Sequence, residues 1–195
     1  METAETLQLR IRAATDKDML LGIFFDASMS TLERLLGAPE VESVRAEVFG
    51  KRRLVSFFRY PVADILQLVE QGVKRSKPGS RSYHQVAMEL GRSAAGTFVD
   101  SQSGKMMSFL AGDNPHRLLA SAPAAYKAVT TFGERSYERV GEKAARMHFR
   151  ADLLGPSWQQ GVVEQALGSM SQMKPRVRVE MKNASGTDFT AHVEW

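Results

Sequence analysis

Residues 144–170, AARMHFRADLLGPSWQQGVVEQALGSM, decide the fold. Apolar and polar side chains alternate at the start of this stretch. Ala145, Met147 and Phe149 fall on one face of a strand, and Arg146, His148 and Arg150 on the other. Leu153-Leu154-Gly155-Pro156 ends the alternation, and Pro156 suits the first turn of a helix. Trp158, Val162, Ala166 and Met170 then recur at helical spacing, with Gly161 and Leu167 beside the stripe. A strand greasy on one face that feeds an amphipathic helix predicts a helix lying across a sheet.

Working outward, Ser136–Val140 and Lys143–Arg150 predict a hairpin that turns near Gly141-Glu142. A second hairpin is predicted from Arg176–Met181 and Asp188–Trp195, joined through Asn183–Gly186. In it Val177, Val179 and Met181 oppose Arg176, Arg178, Glu180 and Lys182, while Phe189, Ala191, Val193 and Trp195 oppose Thr190, His192 and Glu194. Residues 131–195 therefore read as ββαββ, a four-stranded antiparallel sheet with one apolar face. Residues 1–130 read as mainly helical, so the fold class is α+β, with a helical amino-terminal half packed on the sheet in one domain spanning 1–195.

Within the helical half, Leu7, Leu9 and Ile11 alternate with Gln8, Arg10 and Arg12, which predicts a short edge strand or extended arm. Thr15 with Asp18 resembles a capping box that opens a helix. Leu21, Phe25, Leu32 and Leu36 keep a helical stripe up to Gly37, and a second box, Ser30 with Glu33, leaves one helix or two open. A short helix follows over 39–49, then a basic loop, Gly50–Arg53, and the apolar run Leu54–Phe58. Pro61 opens a helix whose Val62, Ile65, Leu66, Val69 and Val73 share a face. After the basic loop Lys74–Ser82 come a helix with Val86, Leu90, Ala94 and Phe98 on one side and a short helical piece at Met106–Leu110. A last helix starts at Asn114-Pro115, and Pro123 is expected to kink or divide it.

Composition narrows the chemistry. The chain has 195 residues, 43% hydrophobic and 25% charged, which is the profile of a globular protein. With no cysteine, disulfides, thiolate metal sites and cysteine nucleophiles are excluded. The net charge of +4 is mildly basic. The opening METAETLQLRIRAATDKD has no apolar signal core, and no run approaches the roughly 18 apolar residues of a membrane span, so a cytoplasmic location is expected.

No catalytic set emerges. His84, His116, His148 and His192 have no metal-ligand spacing, although His148 and His192 could meet across the outer sheet face. Ser171-Gln172-Met173-Lys174 matches S-x-x-K in letters only, without companion motifs. The glycines form neither a phosphate loop nor a dinucleotide fingerprint. Two candidate surfaces remain. Arg146, His148, Arg150, Arg176, Arg178 and Lys182 share the non-core parity and form a basic sheet face, diluted by Glu180 and Glu194, that would suit an anionic partner. Nucleic acid is disfavoured there because no aromatic residues interleave with the arginines. Phe24, Phe25, Phe57, Phe58, Met106, Met107 and Phe109 exceed what one core needs, and adjacent pairs are expected to face different ways. That surplus points to a dimer interface or to the wall of a ligand pocket.

The order of the pieces resembles a known family. LGIFF (Leu21–Phe25), YPVADILQLVE (Tyr60–Glu70), ELGRSAAGTF (Glu89–Phe98), LLGPSWQQGVVEQALGSM (Leu153–Met170) and FTAHVEW (Phe189–Trp195) are similar to a highly paralogous family of myxobacterial proteins. That family is a domain of unknown function, related in fold to the haem–nitric-oxide-binding, 4-vinyl-reductase-like and TRAPP-like vesicle-tethering domains. The resemblance implies helices packed on a four-stranded sheet, in a fold that elsewhere encloses an apolar ligand or forms dimers. It implies no activity. Its haem-binding relatives use a proximal histidine and a Tyr-x-Ser-x-Arg motif. The nearest stretch here, Met147-His148-Phe149-Arg150, lacks the tyrosine and serine, and His116 sits in a first helical turn, so no cofactor is expected. The first functional reading is a non-enzymatic regulatory or adaptor protein that works through protein contacts as a homodimer. The alternative is a sensor that holds a small apolar ligand between helices and sheet.

Overall fold

The structure is a computed structural model that describes residues 2–170 and 173–195. In chain order its elements are α1 (Ala4–Ala13), β1 (Met19–Leu21), α2 (Ile23–Leu36), α3 (Ala38–Phe49), β2 (Arg59–Pro61), α4 (Val62–Lys74) and α5 (Tyr83–Asp100). Then follow α6 (Gln102–Ala111), α7 (Pro115–Val129), β3 (Glu134–Arg139), β4 (Ala144–Arg150), α8 (Pro156–Gly168), β5 (Arg176–Met181) and β6 (Phe189–Glu194). The fold is α+β. Four antiparallel strands in the order β3-β4-β6-β5 form the sheet, and β1 with β2 makes a separate two-stranded ribbon.

The alternation read from the sequence sets the sheet's two faces. Ala145, Met147, Phe149, Phe189, Ala191 and Val193 are buried, and Phe149 stacks on Phe189 with ring centroids 4.5 Å apart. Arg150, Arg176, Arg178 and Glu194 are exposed on the other side. The register pairs Met147 with Ala191 and Val179 with the same residue, so the inward row is continuous across three strands.

Helix α8 is buried more widely than one stripe predicts. Trp158, Gly161, Val163 and Leu167 are all buried, because the helix lies between α5 and the sheet. Trp158 belongs to the core of the helical half, and Val163 and Leu167 to the core against the sheet. The crossing with α5 is at backbone distance. A Cβ on Gly91 would stand 2.1 Å from the Trp158 carbonyl oxygen, and one on Gly161 2.1 Å from that of Met88. Only glycine permits this approach.

Several sequence expectations are corrected. Leu7–Ile11 lies in helix α1, started by a reciprocal Thr3–Thr6 capping box, and not in a strand. Thr15 and Asp18 do bond to each other, but the turn they close leads into strand β1. Residues 23–36 form one helix, and α7 runs through Pro123 undivided. Phe24 and Phe25 are both buried, since α2 is packed on several sides: Phe25 meets Phe49 and Tyr60 edge-on, while Phe24 turns toward α5 and α7. Ser171, in the S-x-x-K match, lies outside the described residues.

Candidate functional site

An apolar cavity of about 100 Å³ lies where the two cores meet. Phe24 of α2, Ala94, Ala95 and Phe98 of α5, and Met107 of α6 form part of its wall. Leu118, Ala122 and Tyr126 of α7, Met147 and Phe149 of β4, and Trp158, Val162 and Ala166 of α8 also line it. The alanines explain the space: three helices present methyl groups where larger side chains would close the gap. Among the described residues no charged side chain lines it.

Polar groups sit behind one wall in a buried seam. The Asp152 carboxylate accepts the Leu154 and Gly155 N–H groups (2.9 and 3.1 Å), the Gln159 amide (2.9 Å) and the Arg135 guanidinium (2.7 Å). Asp152 thereby fixes the turn that leads into α8, and its charge lies at the positive end of that helix. Arg135 lies over the Tyr126 ring, 4.6 Å from its centroid, and Tyr126 donates its hydroxyl to Gln159 Oε1. Burial raises the Tyr126 hydroxyl far above its usual range, the Arg135 cation opposing, so it stays protonated. A second buried pair, Arg10 with Glu2, abuts the same turn, where the Ser157 N–H donates to Glu2 (3.3 Å). Burial lowers Arg10 to about 10, against the pull of Asp152. The sequence reading missed this seam. Asp152 ahead of Gly155-Pro156 was its only local sign, and Arg10 and Arg135 look like surface residues in any periodic pattern.

The candidate surfaces fall as follows. On the basic sheet face, Glu138 reaches both His148 (3.0 Å) and Arg146 (3.5 Å), and Glu134 reaches Arg150 (3.5 Å). The His148 hydrogen bond leads in holding the Glu138 carboxyl below its usual value. His192 bonds to Glu180 (3.1 Å), so the two histidines pair with glutamates and not with each other. Arg176, Arg178 and Lys182 stay exposed, without an ion pair among the described residues. Of the apolar set, Phe24 and Met107 line the cavity and Phe25 is core, whereas Phe57, Phe58, Met106 and Phe109 are exposed. His84 bonds to Ser157 (2.9 Å), and burial lowers its pKa despite nearby Glu164.

Comparison with known proteins places this geometry. Residues 13–195 match the family model described as protein of unknown function (DUF2378). The chain belongs to this family. No curated protein matches it in sequence. Among solved structures, this DUF2378 chain is similar to the Fe(II) unliganded H-NOX protein of K. algicida, with a TM-score of 0.72 and 14% identity, over 90% of this chain and 96% of that one. It is similar also to an oxygen-binding H-NOX domain related to soluble guanylate cyclases, with a TM-score of 0.63 and 14% identity, over 89% and 93% of the two chains. At these identities the likeness is one of fold.

A haem does not fit the DUF2378 chain. The cavity is well below the roughly 300 Å³ at which pockets for larger organic ligands begin. Among the described residues no histidine lines it, so no imidazole faces the space as a proximal ligand. His116 is engaged elsewhere: its Nε2–H donates to the Glu142 carbonyl (2.8 Å), Nδ1 faces the Tyr137 hydroxyl (2.7 Å), and the ring packs edge-on to Trp195. Among the described residues no arginine lines the cavity to pair with propionates.

Proposed function

We propose that this protein is a non-enzymatic sensor module that takes a small apolar molecule into the cavity between helices and sheet. The single observation that carries this reading is the apolar, alanine-lined cavity at the junction of the two cores. Space of this size and lining holds molecules on the scale of xenon or benzene, since an apolar cavity of about 150 Å³ stays dry and binds both. Helix α6 offers the route outward. Met107 is in the cavity wall, while Met106, Phe109 and Leu110 on the same helix are exposed. Occupancy that shifts α6 would change that greasy outer face and so the affinity for a protein partner. The two cores share α8, and residues 1–195 are read as one cooperative domain.

The test is methyl NMR of the full chain under xenon or saturating benzene. Shifts centred on Met107, Met147 and Val162, spreading to Met106 and Leu110, are expected. Unmoved cavity methyls would remove the reading. The exposed α6 face also favours the other role, protein contact as a homodimer in the cytoplasm, for which doubled mass on native mass spectrometry, lost in Phe109→Ser, is the check.

A further inference from the structure

The connection between α3 and β2 carries an unusual pair. Phe57 and Phe58 are 75% and 55% exposed, and their rings pack edge to face with centroids 5.0 Å apart. Their exposure is built into the backbone. The Gly22 N–H donates to the Phe58 carbonyl (2.6 Å), the Ile23 N–H to that of Ser56 (2.8 Å), and the Val55 N–H to the Tyr60 hydroxyl (2.7 Å). The loop is held so closely that a Cβ on Gly22 would stand 2.3 Å from the Val55 oxygen. A pinned loop that keeps two large apolar rings in water has a use for them outside the fold.

Charge says what that use is. From Val48 to Ala63 the chain has Lys51, Arg52, Arg53 and Arg59 and no acidic residue. Arg52 is committed to Asp64 (2.6 Å). Lys51 and Arg53 are exposed and have no ion pair among the described residues, and Arg59 donates to the uncharged Ala128 carbonyl (2.7 Å), so it keeps its charge free. Against them stands exposed Asp26, which accepts from the Ser56 hydroxyl (2.7 Å).

We propose that this loop docks on an anionic lipid surface, with Phe57 and Phe58 entering the bilayer interface and Lys51, Arg53 and Arg59 meeting headgroup phosphates. An exposed apolar pair with cations on either side of it in the chain is the chemistry of peripheral membrane attachment. No acidic residue from Val48 to Ala63 offsets these cations, which suits a surface of uniform negative charge. Rings set at 81° to each other also present a wedge and not the parallel platforms on which successive bases stack.

The experiment is co-sedimentation of the full chain with vesicles of phosphatidylcholine alone or mixed with phosphatidylserine. Binding is expected only to the mixed vesicles and should weaken as salt is added. Lys51→Gln and Arg53→Gln should each weaken it about fivefold. Phe57→Ser with Phe58→Ser should abolish it without moving the thermal midpoint. A Phe57→Trp variant keeps the aromatic ring, and its added emission should shift to the blue on the vesicles. The proposal is overturned if mixed vesicles do not bind, if the added emission stays unshifted, or if binding survives the double substitution; loss of that binding in Arg176→Gln with Arg178→Gln would then put it on the sheet face. Displacement of the vesicles by single-stranded DNA that quenches the new tryptophan would also overturn it.

Discussion

Replacing Ala122 of α7 by leucine puts three carbons into the cavity, and the structure sets how much this can gain. A residual apolar cavity costs about 24 cal/mol for each Å³. For about 100 Å³, complete filling without strain would stabilise the fold by at most about 2.4 kcal/mol. One leucine fills part of that space and meets some strain, so a gain of about 1 kcal/mol is expected. In a chain of this length that raises the melting temperature by about 2–4 °C. Ala95→Leu, from the α5 side of the same wall, should act in the same direction. Urea denaturation at unchanged slope measures the gain. The same variants should lose the stabilisation that benzene confers on the parent protein, because site and filler compete for one volume. Destabilisation of about 1–3 kcal/mol in both variants, the signature of overpacking, with the benzene response intact, would show that the space is not where the structure puts it.

Gly161→Ala should cost about 3 kcal/mol or more in the same denaturation assay, because its Cβ would meet the Met88 carbonyl oxygen at 2.1 Å. Gly96→Ala on α5, whose Cβ would have its nearest neighbour at 4.0 Å, should instead gain about 1 kcal/mol. Asp152→Asn leaves Arg135 buried without a counter-charge and should cost about 3–5 kcal/mol, and a double-mutant cycle with Arg135→Met should show strong coupling. His84 titrates below its ordinary value of 6.5 in the folded protein, so just under that pH the unfolded chain binds the additional proton. Stability should therefore rise with pH up to about 6.5 and fall below it, and His84→Gln should flatten this slope in chemical denaturation at stepped pH.

Much of the architecture was legible because a buried face leaves a period. The strands at 144–150, 176–181 and 189–194 lie where alternation puts them, with Met147, Ala191 and Val193 inward, and β3 begins two residues before the expected Ser136. Helices α4 and α5 likewise follow their stripes, and α4, α5 and α8 begin at their Pro61, Ser82 and Pro156 signals. Where the pattern is short or two-sided, it misled. Leu7, Leu9 and Ile11 alternate like a strand, yet Leu7 and Ile11 also share a helical face, and the Arg10 between them is buried by Glu2 and the turn before α8. Strands β1 and β2 have three residues each, too few to carry a period, and are held by pairing to one another. Of the candidate site, Phe24 and Met107 were within reach of composition, but the alanines beside them were not.

From the sequence alone came the element types, the sheet's inward and outward faces, the absence of thiol chemistry and the surplus of phenylalanine and methionine. These are properties of single residues and of neighbours a few positions apart, where solvent and backbone geometry act directly. The cavity, the Asp152–Arg135 seam, the glycine-to-backbone crossing of α5 and α8, and the outward set of Phe57 and Phe58 were decided by tertiary structure. Each depends on which distant segments meet, and an empty volume or a buried ion pair exists only once several elements have closed around it.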